Sequence, residues 1–191
     1  MQPTVIAIAG PNGAGKTTIA ESFLRNRLGV DEYVNADTIA RGLSQFQPQS
    51  VAIQAGRQNL RRLDELAASR ASFAFESTLA GVIYAARIKR WKADGYRFLL
   101  TFFWLPDVLI ALKRVAARVA SGGHDIPDAV VRQRYGRGFA NFFKLYRPLA
   151  DLWVVYDNSE DEPRIVAKGT GESTLEIVDQ SSWSTISSQG R

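Results

Sequence analysis

A nine-residue stretch near the amino end constrains this chain more than any other: Gly10-Pro11-Asn12-Gly13-Ala14-Gly15-Lys16-Thr17-Thr18. It follows an apolar run, Val5-Ile6-Ala7-Ile8-Ala9, and leads into a helical pattern from Ile19 to Leu24. The spacing G-x-x-x-x-G-K-[ST] is that of a phosphate-binding loop set between a strand and a helix. Glycines let successive backbone amides curl around an anion, because a side chain would block the approach. A helix starting at Gly15 adds the positive end of its dipole. From there Lys16 reaches the β- and γ-phosphates of a nucleotide, and the Thr17 hydroxyl can hold Mg²⁺. Every residue from Gly10 to Thr18 is therefore assigned to the nucleotide.

What the loop is mounted on follows from the rest of the chain. At 191 residues it has room for one sizeable core, and its 46% hydrophobic and 23% charged residues are ordinary for a soluble globular protein. We expect a single domain over 1–191, with 160–191 an extension whose structure the sequence leaves open. Val5 to Ala9 reads as a strand buried on both faces, as in a parallel sheet. Further strands are expected to end near Tyr33-Val34-Asn35 and to cover Ser72 to Phe75, Tyr96 to Leu105 and Leu152 to Tyr156. Helices are expected over Thr17 to Arg25, after Asp37, over Pro48 to Ser69 and Gly81 to Ala93, after Asp107, and over Asp128 to Tyr146. Strands alternating with helices behind a phosphate loop give an α/β, three-layer P-loop fold with a mostly parallel sheet. Beyond Glu160 only two weak strands are legible, Arg164 to Ala167 and Leu175 to Val178, followed by a polar, serine-rich end.

Other classes fall away. There is no cysteine, which removes disulfides and thiolate chemistry and fits a reducing, cytoplasmic compartment. The chain enters a strand within a few residues, so no signal peptide is visible, and no apolar run is long enough to span a membrane. Net charge is +5 and the pI near 9.7. Without a basic tail or an aromatic-plus-basic module, that balance does not predict a nucleic-acid partner. No Asn-Lys-x-Asp segment marks a guanine site, so ATP is the expected nucleotide.

In a sheet of this kind ligands sit beyond the carboxyl ends of the strands. Asp37 and Glu76 both follow a strand directly and should come near Lys16. One can accept the proton of an attacking hydroxyl, and the other can order Mg²⁺ or a substrate hydroxyl. Plainer roles stay open, Asp37 as a helix cap and Glu76 as a solvated strand end. Arg114 and Arg118 stand one helical turn apart, and Arg132, Arg134 and Arg137 follow a Gly-rich loop that holds His124, the single histidine. Two Arg-bearing helices joined in this way can fold over a triphosphate as a lid that excludes water. A solvated helix face is the plainer reading of each of these arginines.

The ordered set formed by Gly10 to Thr18, Asn35-Ala36-Asp37-Thr38, Arg57, Phe75-Glu76-Ser77-Thr78-Leu79, Gly95-Tyr96 and Arg114 through Gly122-Gly123-His124-Asp125-Ile126-Pro127 to Arg134-Tyr135 resembles the zeta-toxin family of P-loop kinases. The likeness covers about the first 160 residues. It implies an ATP- and Mg²⁺-dependent kinase acting on a hydroxyl of a small molecule, some members phosphorylating the sugar of UDP-N-acetylglucosamine. By the same likeness Asp37 is the base, Lys16 the nucleotide lysine and Thr17 the metal hydroxyl. Glu76, Arg57 and Thr78 lie on the substrate side. Arg114 or Arg118, and Arg132 or Arg134, are the lid arginines, with Arg114 toward the nucleotide and Arg118 and Arg134 toward the transferred group. An antitoxin protein is the implied partner. A nucleotide hydrolase or switch that performs no transfer is the competing expectation.

Overall fold

The apolar runs of the sequence become the middle of a seven-stranded sheet. The computed structural model describes residues 2–24, 30–44, 48–123 and 125–190. Strands β1 (Thr4–Ala9), β2 (Glu32–Val34), β3 (Phe73–Ser77), β4 (Arg97–Trp104) and β5 (Leu152–Asp157) are parallel. Strands β6 (Arg164–Thr170) and β7 (Ser173–Ile177) continue the sheet antiparallel, in the order β2-β3-β1-β4-β5-β6-β7.

Central strands are mostly apolar because both faces are covered. Along β1, Val5, Ala7 and Ala9 face one layer while Ile6 and Ile8 face the other. Helices α1 (Lys16–Phe23) and α5 (Val108–Ala120) pack on the Ile6 side through Ala20, Ala111 and Val115. On the Val5 side lie α3 (Ala52–Ala68), α4 (Ile83–Ala93), α6 (Asp128–Asn141) and α7 (Gln180–Gln189). Helix α2 (Ala36–Leu43) lies against α3. Among the described residues no helix is long and apolar enough to cross a membrane. The α/β, mostly parallel sheet with helices on both faces is the expected one.

Three expected spans differ in detail. The helix expected from Pro48 opens as a 3₁₀ turn, Pro48–Val51, before α3. The helix expected to reach Tyr146 widens after Asn141 into a π-turn, Phe142–Tyr146. Phe142 and Tyr146, at its two ends, are both fully buried. The serine-rich end folds as α7, capped by Asp179, which accepts from the Ser182 amide. Trp183 of α7 stacks on Trp153 of β5 with ring centres 5.5 Å apart and planes at 9°. Arg25 and His124 lie outside the described residues.

Candidate active site

Where β1 ends, the chain turns through Gly10 at φ +141° and reaches α1 through Gly15 at φ +73°. A Cβ on Gly10 would stand 2.2 Å from the Phe103 carbonyl oxygen, and one on Gly15 would stand 2.8 Å from Asn158 Nδ2. Glycine is thus dictated at both points by backbone direction and by close approach. The loop is closed from outside by Asn158, whose Nδ2 donates to the Ala14 carbonyl at 2.8 Å. Arg114 of α5 in turn donates to the carbonyls of Asn158 at 2.6 Å and Ser159 at 2.8 Å. Its planar fork is committed to the backbone behind the loop.

Lys16 crosses the loop to donate to the Pro11 carbonyl at 2.9 Å. Its Nζ is 3.6 Å from Glu76 Oε1, and the two side chains are only 5% and 13% exposed. Glu76 is carried there by β3, which pairs with β1 so that Glu76 lies beside Ile8 and Ser77 beside Ala9. Its other oxygen, Oε2, accepts from Thr17 Oγ1 at 2.8 Å, Tyr33 OH at 2.7 Å and Asn35 Nδ2 at 2.8 Å. One carboxylate therefore gathers the loop lysine, the loop hydroxyl and the end of β2. Burial pulls the Lys16 ammonium below its usual pKa, with Glu76 and then Asp37 opposing the shift and Arg118 adding to it. Burial pushes the Tyr33 hydroxyl far up, reinforced by Glu76.

Asn35, and not Asp37, is the cap of α2. Its Oδ1 accepts from the amides of Asp37 at 2.8 Å and Thr38 at 3.4 Å. Asp37 stands in the first turn with its carboxylate exposed, and among the described residues that carboxylate makes no hydrogen bond or ion pair. Its charge is one of those that oppose the lowering of the Lys16 pKa. Asp107, by contrast, is a plain cap of α5 and accepts from the Leu109 amide at 2.8 Å.

Of the arginines expected to form a lid, Arg118 is exposed and its charge adds to the lowering of the Lys16 pKa. Arg134 is half-buried on α6, whereas Arg132 and Arg137 face solvent. Thr78 follows β3 and is packed by its backbone against Gly138 of α6. Arg57 opens onto a trough of about 580 Å³ between α3 and α4, beside Arg61, Asp64 and Arg87, and takes no part in the Glu76 cluster. The sequence patterns assign no role to Tyr33, Asn158 or Asn141. Asn158 has a signal, an Asp-Asn-Ser turn directly after a buried strand.

The chain has relatives, and its fold has counterparts, among known proteins. An uncharacterized protein of Haemophilus influenzae is 35% identical over 135 residues, covering 71% of this chain and 94% of the relative. A chain of the AvrRxo1-ORF1:ORF2 complex crystallised with ATP matches all of this chain (100%) at 21% identity with a TM-score of 0.77. The present chain spans 65% of that protein's length. A chain of the PezAT chromosomal toxin-antitoxin system of Streptococcus pneumoniae matches at 16% identity and a TM-score of 0.62, over 98% of this chain and 84% of that one. At these identities the solved structures show the fold alone, an α/β domain with a mostly parallel sheet. Residues 5–137 match the family model AAA_33, described as an AAA domain, and the chain belongs to that family.

Proposed function

We propose that the chain is an ATP-dependent kinase that transfers the γ-phosphoryl group to a hydroxyl of a small molecule, with Asp37 as general base. The observation carrying this reading is the state of Asp37. Asn35 has taken the cap, so the Asp37 carboxylate is left exposed and unbonded among the described residues, with a charge that opposes the lowering of the Lys16 pKa. A base needs a carboxylate free to meet the acceptor hydroxyl, and a capping or paired aspartate would not offer one.

The loop fits a nucleotide. The amides of Gly13, Gly15, Lys16 and Thr17 have no protein acceptor among the described residues, and Asn12 Oδ1 is buried without a partner. The cradle is Gly10, Pro11, Asn12, Gly13, Ala14, Gly15, Lys16, Thr17 and Thr18, with Arg114 bracing it from behind. Lys16, Arg118 and Arg134 place fixed positive charge around the transferring group, which an in-line phosphoryl transfer needs. Thr17 and Glu76 are the residues that would hold Mg²⁺, which would supply positive charge against the negative charge of the phosphoryl group. The ATP in the AvrRxo1 complex supports ATP as the nucleotide.

Thr78 and Arg57 are assigned to the acceptor side. The likeness to zeta toxins, supported by the PezAT match, makes UDP-N-acetylglucosamine the first acceptor to try and an antitoxin the protein partner, in the cytoplasm. Incubation with γ-labelled ATP, Mg²⁺ and either that sugar nucleotide or a metabolite extract should move label onto a small molecule. Asp37→Asn should lower transfer by about 100-fold or more while ATP binding survives. Equal loss of binding and transfer would remove Asp37 from the role of base. Steady hydrolysis that ignores every acceptor would assign a hydrolase or switch instead.

A further inference from the structure

The turn that follows Glu76 is held by the helix that carries Arg134. Leu79 is fully buried and lies in the left-handed region at φ +56°. A leucine persists there only when its surroundings over-determine it. Those surroundings are specific. Ser77 Oγ accepts from the Leu79 amide at 3.0 Å, and Asn141 Nδ2 donates to the Leu79 carbonyl at 2.7 Å. Tyr146 donates its hydroxyl to the Gly81 carbonyl. Gly138 approaches so closely that a Cβ there would stand 2.5 Å from the Thr78 carbonyl oxygen. Arg134, Gly138 and Asn141 fall at i, i+4 and i+7, on one face of α6. Arg134 makes no hydrogen bond or ion pair among the described residues.

Upstream of the turn, Ser77 still belongs to the ladder beside Ala9, and its carbonyl accepts from the Gly10 amide at 3.2 Å. The latch on Leu79 therefore sits at the far end of a short rigid segment whose near end is Glu76. Releasing Leu79 to the ordinary φ region would rotate the Thr78 and Leu79 peptides and pull on Ser77, and so on the carboxylate that gathers Lys16 and Thr17.

We propose that Asn141 is a positioning residue: by holding Leu79 left-handed it sets where Glu76 stands against Thr17 and Lys16, and ties that position to α6. The inference rests on the kinase reading, in which Glu76 and Thr17 serve the metal-bound nucleotide.

Two measurements on Asn141→Asp, which keeps the size but loses the donor, test it separately. Without nucleotide, amide hydrogen exchange over residues 76–81 should quicken by at least tenfold, while exchange in β1 is unchanged. With nucleotide, the gain in ATP affinity on adding Mg²⁺ should shrink by about tenfold, the size typical of losing an outer-shell support. Asn141→Gln, which keeps a donor, should recover part of both. A merely structural role predicts a lower Tm and an unchanged Mg²⁺ gain.

Unchanged exchange over 76–81 would overturn the latch whatever the protein does with ATP. Faster exchange with an unchanged Mg²⁺ gain would overturn its link to Glu76. Wild-type protein that binds no ATP in the presence of Mg²⁺ would overturn the kinase reading, and the proposed role with it, while the exchange result would still stand as a finding about the turn.

Discussion

The two halves of the candidate site are built in opposite ways. Beside the phosphate loop, Lys16, Thr17, Tyr33 and Asn35 are all engaged through the single carboxylate of Glu76, and Asn158 and Arg114 lock the loop from behind. Of the residues proposed for the acceptor and the transferred group, Asp37, Arg57 and Arg134 form no side-chain ion pair among the described residues. The first half has a geometry that does not wait for a ligand. The second presents charges whose partners the fold does not supply. Preorganisation on one side and unspent charge on the other is the division expected where one substrate is held and a second is brought to it.

The comparison breaks most visibly at Glu76. Replacing it by Ala leaves a buried ammonium without its carboxylate, takes the acceptor from the Tyr33 hydroxyl and leaves the Asn35 amide only the long bond to Tyr33 at 3.5 Å. Removing one member of a buried pair typically costs about 3–5 kcal/mol, and we expect Glu76→Ala to lower unfolding stability by about 3 kcal/mol. Asp37→Ala, on the open half, should stay within about 0.5 kcal/mol. Urea unfolding of the two variants decides it. Equal losses would mean that Asp37 is as structural as Glu76, and the contrast would be gone.

Glycines sharpen the same contrast. Gly10→Ala drives a Cβ into the Phe103 carbonyl at a φ that L-residues avoid, and should cost about 3 kcal/mol or shift the loop. Gly42, in α2 on the open side, has no atom within 4 Å of where a Cβ would stand. Gly42→Ala should instead stabilise by about 0.5 kcal/mol through the unfolded chain. Thermal unfolding of both variants, with opposite signs expected, is the check.

How much of this is legible in the sequence follows from the range of the interactions involved. The phosphate loop is written in nine consecutive residues, and the core strands announce themselves as apolar runs. The hub at Glu76 is not local: β1 and β3 bring it to Lys16, and nothing near Glu76 in sequence says that Tyr33 and Asn35 will bond to it. The choice of Asn35 over Asp37 as cap has the same origin. Both residue types cap helices well, and Asn35 is fixed in place because its amide also reaches Glu76 from the end of β2. Helix α7 is hidden by its serines, which compete for backbone hydrogen bonds and weaken helices. Tertiary burial of Trp183 and Ile186 overrides that propensity. Asp179 before them is the available cue.

Helix α6 carries Arg134, and the smallest effect concerns how it is pinned. Tyr135 donates its hydroxyl to the Leu105 carbonyl at 2.7 Å, where β4 ends. Tyr135→Phe removes that bond and should cost about 1 kcal/mol. Burial, aided by the nearby Asp107 carboxylate, raises the Tyr135 hydroxyl from the ordinary 10.0 to about 12. A group whose pKa is raised on folding favours the folded state while it is protonated in both states. Its contribution is complete below pH 10 and fades as pH climbs toward about 12. Wild-type stability should therefore fall across that window more steeply than that of Tyr135→Phe. Parallel alkaline limbs in the two proteins would show that this hydroxyl does not hold α6 to the sheet, and that the helix rests on Gly138, Asn141 and the buried Val131 and Phe139.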